Sequence, residues 1–303
     1  MARIATASTT ASSPRRSDVA TPVSDAATEA QPVSANNGGL RAFIDNHQRI
    51  FVLTGAGCST ESGIADYRDE SGEWKRPQPV TFQAFMKDEA VRRRYWARSL
   101  IGWRQLSVAR PNAAHCALAA LEARGQCETL LTQNVDGLHQ AAGSRNVIDL
   151  HGRIDAVRCM SCEQTSRRRD LQPLLFDLNP DWASLDATNA PDGDADLDGL
   201  DFSTFRIPSC PQCGGVLKPD VVFFGENVPS ERRDAALAHL AHAHAVLVVG
   251  SSLMVQSGYR FVARAAAAGL PIASVTTGRT RADALLTLKV SEPCGAALSF
   301  LLP

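Results

Sequence analysis

The stretch that decides the fold is Arg49-Ile-Phe-Val-Leu-Thr54, which is followed at once by Gly55-Ala-Gly57. Its central residues are apolar, and its isoleucine, phenylalanine and valine favour an extended backbone. A short apolar run that ends at turn residues is typical of a strand buried on both faces of a sheet. The two glycines allow a sharp change of direction. The stretch therefore predicts a buried strand that enters a tight turn.

Similar apolar segments recur along the chain and alternate with helix-like stretches. The other predicted strands are residues 128–132, 245–249 and 271–275, and the predicted helices are residues 113–124, 231–242 and 258–268. This alternation predicts an α/β fold with a parallel sheet and helices on both faces. Ligands of such sheets bind at the carboxyl ends of the strands. We therefore expect Gly55, Gln133 and Gly250 to lie close together.

The composition excludes several classes of protein. The 303 residues include 31 basic and 32 acidic side chains, so the net charge of -1 lacks the basic excess of a nucleic-acid-binding protein. No apolar run approaches the ~20 residues of a membrane-spanning helix. Eight cysteines are too few for a disulfide scaffold of this length, and no signal peptide is evident. We predict a protein of a bacterial cytoplasm that binds neither nucleic acid nor membrane, and the sequence leaves its oligomeric state open.

The chain divides into three regions by composition. Residues 1–38 are rich in Ala, Ser, Thr and Pro without an apolar period, which predicts a disordered N-terminal tail. Its arginines weakly resemble a mitochondrial presequence, but the amphipathic face of such segments is missing. We expect residues 39–152 and 217–303 to form the α/β domain, with a helical part at about 70–110. Residues 153–216 are predicted to form an inserted module with an acidic loop.

Two CxxC pairs mark this module, Cys159-Met-Ser-Cys162 near its start and Cys210-Pro-Gln-Cys213 near its end. The spacing lets both sulfurs of a pair reach one ion, and four thiolates suit tetrahedral Zn²⁺. Disulfide bonds are the alternative, but nothing indicates an oxidising compartment. Because four thiolates leave no open coordination position, we predict one structural zinc ion per chain. The acidic stretch between the pairs lacks the glutamate that closes an EF-hand loop, so we expect a surface loop there.

The turn Gly55-Ala-Gly57-Cys-Ser-Thr60 is similar to a dinucleotide-binding fingerprint, although Thr60 replaces the third glycine. The backbone amides of such a turn can hold a pyrophosphate, and Ser59 and Thr60 add hydroxyl donors. A tight turn without a ligand is the alternative.

Polar side chains follow further predicted strands. Gln133, Asn134 and Asp136 combine amides with a carboxylate and can hold a carboxamide. His151 has an ordinary pKa in the range that suits proton transfer. A purely structural histidine is the alternative at this position.

Taken in chain order, these motifs resemble those of the sirtuins. The resemblance rests on Gly55-Ala-Gly-x-Ser-x-x-Ser-Gly-Ile, Asp66-Tyr-Arg68, Thr132-Gln-Asn-Val-Asp136, Leu150-His-Gly152, the paired CxxC, Lys218-Pro-Asp-Val-Val-Phe-Phe-Gly-Glu226 and Val249-Gly-Ser-Ser252. It extends from about Leu40 to the C-terminus. Within the family, the Lys218 segment and Arg94-Tyr-Trp-Ala-Arg98 are most similar to class II, the branch of the mitochondrial lipoamidase and ADP-ribosyltransferase.

The resemblance implies a Rossmann-like parallel sheet with helices on both faces, a small zinc-binding module, and NAD⁺ as co-substrate. The residues implied to contact NAD⁺ are Gly55, Ala56, Gly57, Ser59, Thr60, Ala65, Asp66, Tyr67, Arg68, Gln133, Asn134, Val135, Asp136, Gly250, Ser251, Ser252, Thr276, Thr277, Gly278 and Cys294. Two positions depart from the family pattern. Thr276 stands where the family usually has Asn, and Ala65 stands where it usually has Pro.

The resemblance also implies an acyl-lysine protein substrate. Its peptide is expected to lie as a strand between residues 225–227 and 253–257. The residues implied to contact it are Val222, Phe223, Gly225, Glu226, Tyr95 and Arg98. Tyr95 and Arg98 share a helix face, and sirtuins that remove acidic acyl groups carry a similar Tyr-x-x-Arg. Arg98 is therefore expected either to pair with a carboxylate on the acyl chain or to be a structural or surface arginine.

The reaction implied by the resemblance is NAD⁺-dependent deacylation of protein lysines. The acyl oxygen attacks the ribose carbon as nicotinamide leaves, and His151 acts as general base on a ribose hydroxyl. The products are lysine, nicotinamide and O-acyl-ADP-ribose. Transfer of ADP-ribose to a protein from the same pocket is the alternative enzyme activity. A silent NAD⁺-binding module is disfavoured by the intact His151, and a dehydrogenase is disfavoured by Thr60.

Overall fold

The computed structural model describes residues 37–75, 79–185 and 199–302, together with 33–34, 189–190, 194–195 and residue 197. Most of the predicted tail at residues 1–38 lies outside the described residues. Of the tail residues that are described, Val33–Ser34 form a short strand, and the first helix begins at Asn37. In the part of the chain described, no helix is both long and apolar enough to cross a membrane.

The described residues form twelve strands and ten α-helices. The strands are β1 (Val33–Ser34), β2 (Ile50–Thr54), β3 (Cys127–Thr132), β4 (Val147–Asp149), β5 (Gly152–Cys159), β6 (Thr165–Arg167), β7 (Asn189–Ala190), β8 (Asp194–Ala195), β9 (Leu217–Val221), β10 (Ala245–Val249), β11 (Ile272–Val275) and β12 (Leu288–Val290). The helices are α1 (Asn37–Asp45), α2 (Phe82–Lys87), α3 (Glu89–Leu106), α4 (Ala113–Ala123), α5 (Leu138–Ala141), α6 (Arg168–Leu178), α7 (Pro180–Ala183), α8 (Ser230–His242), α9 (Gln256–Ala267) and α10 (Cys294–Leu298).

The main sheet has seven parallel strands in the order β1-β12-β11-β10-β2-β3-β4 among the residues described. The decisive strand β2 lies near its centre, between β10 and β3. The carboxyl ends of these three strands meet at one edge. There the amide of Gly55 donates to the Val249 carbonyl over 3.1 Å, and the amide of Gln133 donates to the Thr54 carbonyl over 3.0 Å.

Alternate residues of the central strands enter two different hydrophobic cores. In β2, Ile50 and Val52 pack against the helices α1, α4 and α10 on one face. Phe51 and Leu53 pack against α8 and α9 on the other face. Burial on both faces explains why β2 is apolar without a break. The parallel sheet with helices on both faces confirms the predicted fold class.

A second layer contains the cysteine pairs. Strand β5 pairs antiparallel with β6 on one side and with β9 on the other. Its core combines Trp96 and Leu100 of α3 with Leu171 and Leu175 of α6. Helix α3, from the stretch 70–110, thus shares a hydrophobic core with the module at residues 153–216. The zinc-binding module completes the predicted architecture.

Candidate active site

A cavity of about 500 Å³ lies at the carboxyl edge of the parallel strands. Many residues that the sequence singled out line it, namely Gly55, Ala56, Gly57, Asp66, Tyr67, Arg68, Gln133, Asn134, Val135, His151, Val222, Phe223, Gly225, Glu226, Gly250, Ser251, Ser252, Thr276, Thr277 and Gly278. This volume lies within the range of about 300–1,000 Å³ that is usual for small-molecule sites. The structure therefore joins the strand ends, the loop after the glycine turn and the segment after β9 in one site.

Several other singled-out residues do not line the cavity. They are Ser59, Thr60, Ala65, Asp136, Cys294, Tyr95 and Arg98. Ser59 is buried beneath the turn, where its hydroxyl donates to Asp136 over 2.7 Å and accepts from the Asn134 amide over 3.0 Å. Thr60 donates to the Gly57 carbonyl instead of facing the cavity. Ser59 and Asp136 therefore form a layer that supports Asn134 and the glycine turn from behind.

The glycine turn is held against the end of β10. The amide of Gly57 donates to the Gly250 carbonyl over 2.8 Å. The short 3-10 turn Ala56–Cys58 begins here, and the first amides of a helical turn have no partner within it. Cys294 lies behind the turn, with its sulfur 3.8 Å from the Gly57 carbonyl oxygen. The amides of Gly55, Gly57, Cys58 and Ser59 all donate to carbonyls of the protein, so among the described residues of the turn only the Ala56 N–H is left for an anionic group at the cavity.

A polar cluster that the sequence did not predict lies behind the turn. Cys58, His115 and His139 are buried, and the two imidazole rings are 4.7 Å apart. Thr54 links β2 to this cluster, since its hydroxyl is 2.9 Å from His139 Nε2 and donates to Thr132 over 2.8 Å. Burial raises the pKa of the Cys58 thiol and lowers the pKa of His139 to about 3. At neutral pH the cluster is therefore uncharged and packs as part of the core.

His151 is delivered to the cavity by the junction of β4 and β5. The next residue, Gly152, has a φ of 83°, and a Cβ there would lie 2.0 Å from the Asp220 carbonyl oxygen. Only glycine fits this turn without displacing β9. The carbonyl of His151 accepts the Val222 amide over 2.8 Å, which ties the histidine to the segment after β9. The motif Leu-His-Gly thus has a direct structural cause.

Both ring nitrogens of His151 have partners. Nδ1 is 2.9 Å from the carbonyl oxygen of Gln133, and Nε2 is 2.8 Å from the hydroxyl of Ser257. Because a carbonyl oxygen only accepts, Nδ1 carries the proton and Nε2 presents its lone pair. Burial lowers the pKa of His151 to about 4, and the positive charge of Arg232 adds to this effect. The ring is therefore neutral at pH 7, and its lone pair is on Nε2.

The loop after the glycine turn folds over the cavity. Lys75 forms an ion pair of 2.5 Å with Asp66, and the Arg68 guanidinium stacks 4.0 Å from the centre of the Trp74 ring. Trp74 also meets Phe224 edge-on, with the ring centres 5.5 Å apart. These contacts pack the loop against the segment after β9, so a movement of the loop would shift Phe224 as well.

The segment after β9 is fixed by a buried ion pair. Lys218 is only 4% exposed, and its Nζ lies 3.1 Å from Glu226 Oε2. The same carboxylate accepts the Phe223 amide over 2.8 Å. The Phe223 ring in turn packs 5.2 Å from the ring of Tyr95 on α3. Tyr95 therefore stands directly behind a residue that lines the cavity, and Arg98 follows one helical turn later.

The four cysteines of the module converge on one point. Their sulfurs lie within 4.8 Å of one another, with Cys159 and Cys213 3.5 Å apart and Cys162 and Cys210 3.8 Å apart. A Zn–S bond of about 2.3 Å in tetrahedral geometry requires sulfurs about 3.8 Å apart. The backbone amide of Ser161 also donates to the Cys159 sulfur, which favours the thiolate. The residues fit a structural zinc ion, as the CxxC spacing predicted.

Some residues of the site carried no signal in the sequence. Trp74, Lys75 and Arg260 line the cavity, yet none stands in a motif with a chemical pattern of its own, and Ser257 was expected only as part of the peptide segment at residues 253–257. Ser257 reaches His151 across 106 positions of the chain. Such contacts follow from the packing of α9 against the sheet and have no local signature.

A parallel α/β sheet with a glycine turn, a neutral histidine at its carboxyl edge and a four-cysteine module defines a nucleotide-binding enzyme with a zinc-supported second layer. The Sir2 family model matches residues 55–257. The chain belongs to this family, which confirms the sirtuin resemblance.

Known relatives agree with this assignment. The chain is 66% identical over 269 residues to an NAD-dependent protein deacetylase of Xanthomonas campestris pv. campestris, covering 89% of this chain and 92% of that protein. A crystal structure of a Sir2 homologue with NAD is 30% identical, with a TM-score of 0.68 over 89% of this chain and 94% of the other. A Sir2 mutant with a p53 peptide and NAD is 27% identical, with a TM-score of 0.70 over 88% of this chain and 97% of the other.

Proposed function

We propose that this protein is an NAD⁺-dependent protein lysine deacylase that releases nicotinamide and O-acyl-ADP-ribose. The observation that carries the proposal is the neutral His151, whose Nε2 lone pair lies in a cavity of about 500 Å³ beside the glycine turn. The names of the relatives and the NAD of the solved neighbours support the same activity. The bacterial relatives also support a cytoplasmic location.

The residues of the cavity suit NAD⁺. The backbone amide of Ala56 in the glycine turn is available to a pyrophosphate, and Arg68 also lines the cavity and can add a positive charge. The Gln133 side-chain amide donates to the Ser251 hydroxyl over 2.7 Å, which fixes it between the ends of β3 and β10. Bound NAD⁺ supplies a ribose carbon that exchanges nicotinamide for the acyl oxygen of the substrate. The turn would hold the anionic end, while the amides around Gln133 orient the ribose.

His151 would take the proton in the transfer of the acyl group. Its Nδ1–H bond to the Gln133 carbonyl fixes both the tautomer and the plane of the ring. A ribose hydroxyl that reaches Nε2 gives up its proton there as its oxygen attacks the acyl carbon. Asp66 and Trp74 of the loop line the cavity, and closure of this loop over bound NAD⁺ would limit the access of water.

An acyl-lysine peptide would bind between the segments at residues 225–227 and 253–257, which both line the cavity. The first segment is braced from α2, because the Gln83 side chain donates to the Gly225 carbonyl over 2.8 Å. Peptide strands added between such segments use backbone hydrogen bonds and tolerate many sequences. Val222 and Phe223 would contact the lysine stem. The p53 peptide of a solved neighbour supports a protein substrate.

The acyl group would pass Phe223 in the direction of α3. Tyr95 packs against Phe223 there, and Arg98 lies on the same helix face. We propose that Arg98 pairs with acyl chains that end in a carboxylate. Comparison of succinyl-, glutaryl- and acetyl-lysine peptides in wild type and Arg98→Ala tests this point. An unchanged preference in the variant contradicts it.

The central experiment follows products by mass spectrometry after incubation of the zinc-loaded protein with NAD⁺ and an acetyl-lysine peptide. We expect nicotinamide, O-acetyl-ADP-ribose and free lysine in equal amounts. His151→Ala should lower turnover by about 10²–10⁴-fold, the usual contribution of a general base. His242→Ala is the matched control, because His242 is exposed at the end of α8. An ADP-ribosylated protein without O-acetyl-ADP-ribose would favour the transferase activity instead.

A further inference from the structure

Ser257 makes the only side-chain hydrogen bond to Nε2 of His151 within the described part of the chain. Its hydroxyl lies 2.8 Å from Nε2, and it is the second residue of α9. Since Nδ1 carries the ring proton for the Gln133 carbonyl, Nε2 can only accept. The Ser257 hydroxyl is therefore the donor, and the imidazole is held from both sides.

The packing of the first turn of α9 brings the Ser257 hydroxyl close to Nε2 of His151. The next residue is Gly258, and a Cβ there would lie 2.4 Å from Gln133 Oε1. The helix backbone therefore packs directly against the Gln133 side chain, whose own carbonyl holds the other end of the ring. Gln133, His151 and Ser257 thus form one packed unit from β3, the β4–β5 junction and α9. A larger residue at Gly258 would push Ser257 away from Nε2.

The hydrogen bond between Ser257 and His151 changes its direction and its strength when a proton is transferred to Nε2. In the neutral ring, the serine hydroxyl donates to Nε2 and keeps the lone pair in the cavity. Once Nε2 carries a proton, the same hydroxyl can rotate and accept, because it has both a donor and acceptor sites. Hydrogen bonds to a charged group are stronger than neutral ones. A buried imidazolium otherwise lacks solvent to stabilise it.

We propose that Ser257 is a positioning residue for His151, which aims Nε2 in the free enzyme and stabilises the imidazolium formed during acyl transfer. This inference rests on the proposed role of His151 as base. The ribose hydroxyl would displace the serine donor from Nε2; as its O–H bond breaks, its oxygen would bond to the acyl carbon, and the carbon–nitrogen double bond to the lysine would open onto that nitrogen. A water molecule would then supply the oxygen that completes the release of lysine. The proton moves to Nε2, and the Ser257 oxygen accepts the new N–H.

If Ser257 has this role, two measurable reactions should respond differently to its loss. Cleavage of nicotinamide precedes proton transfer, so exchange of labelled nicotinamide into NAD⁺ does not require the base. Formation of O-acetyl-ADP-ribose does require it. Loss of the serine hydroxyl should therefore slow product formation while exchange continues. A serine that only supported folding or NAD⁺ binding would change both rates together.

The test compares Ser257→Ala and Ser257→Thr in the zinc-loaded full chain, with acetyl-lysine peptide and NAD⁺. We expect Ser257→Ala to form product about 10- to 100-fold more slowly at saturating substrates, with nicotinamide exchange within about twofold of wild type. Ser257→Thr keeps a hydroxyl and should recover most of the loss. Ser230→Ala is the control, because Ser230 also opens a helix, donates to Glu231 and does not line the cavity.

The outcomes distinguish the inference from the proposed function. If Ser257→Ala forms product at the rate of wild type while His151→Ala is inactive, the role of Ser257 is wrong and the base assignment stands. Equal loss of exchange and product formation in Ser257→Ala also overturns the inference. If His151→Ala retains full turnover, the base assignment fails and the inference fails with it.

Discussion

Replacement of Glu226 by glutamine tests whether the buried ion pair with Lys218 holds the segment after β9. In the wild type the Phe223 amide donates to the Glu226 carboxylate over 2.8 Å. Glutamine keeps an oxygen that can accept this hydrogen bond, but it removes the negative charge. Lys218, 4% exposed, then keeps a buried positive charge over the Phe223 ring at 4.7 Å without its anionic partner. We therefore expect Glu226→Gln to lose stability through an uncompensated charge.

The size of the loss follows from burial on each side of the pair. Removal of one partner of a buried pair costs about 3–5 kcal/mol. The Glu226 side chain is 20% exposed, and Lys218 still donates to the carbonyls of Pro219 and Val221, so the cost falls to about 2–3 kcal/mol. For a domain of this size each kcal/mol corresponds to about 2–4 °C, so the melting temperature should fall by about 4–12 °C.

Urea and thermal unfolding of wild type, Glu226→Gln, Lys218→Met and the double variant measure this effect. The double variant should regain most of the stability, because it removes both charges together. Burial also lowers the pKa of Lys218, so the folded state binds fewer protons than the unfolded state at alkaline pH. The deficit of Glu226→Gln should therefore shrink as the pH rises toward the ordinary lysine value of about 10.4. A single variant as stable as wild type, or a double variant that adds both losses, refutes the reasoning.

Three further predictions concern the zinc, acid stability and the loop over the cavity. Removal of zinc by a chelator, or Cys210→Ser, should unfold the antiparallel layer, seen as loss of near-UV circular dichroism and rapid proteolysis, whereas the same change at the exposed Cys116 should have no effect. Burial lowers the pKa of His139 to about 3, so its contribution to the free energy of unfolding is complete above pH 6.5 and is lost as the pH falls toward 3, by about 1.4 kcal/mol per pH unit. Urea midpoints at pH 7, 6 and 5 measure this loss. If His139→Asn loses stability with pH as steeply as wild type, His139 is not the cause. Lys75→Ala removes an exposed ion pair worth about 0–1 kcal/mol, so the KM for NAD⁺ should rise up to about fivefold with the melting temperature unchanged, and a large fall in kcat would contradict a role in loop closure.

The central strands of the main sheet and the zinc ligands could be predicted because their signals are local. The apolar run of β2 and the strand at Ala245–Val249 are buried on both faces, and that burial requires the unbroken apolar sequence seen in each. A CxxC pair brings its two sulfurs together through its own short turn, so the metal-ligand type is readable before the fold is known. The His151-Gly152 pair is local in the same sense, because the glycine serves the turn that delivers the histidine.

Other features of the site depend on the packing of distant segments. Ser59 follows the glycine turn as a nucleotide-binding serine would, yet its proton goes to Asp136 inside the protein. Trp74 gains its place over the cavity only because Arg68 and Phe224 pack against it from two different parts of the chain. No pattern in the sequence around either residue indicates these partners.

The sequence by itself indicated the central strands of an α/β sheet, the glycine turn, the metal-ligand type and His151 as a candidate for proton transfer. Each of these depends on residues a few positions apart, where backbone geometry fixes what can meet. Only the tertiary structure decided which nitrogen of His151 presents its lone pair, that Ser257 faces this nitrogen, and that Lys218 is buried with Glu226. The physical reason is that protonation and hydrogen bonding depend on burial and on partners that the chain brings together only when its layers pack.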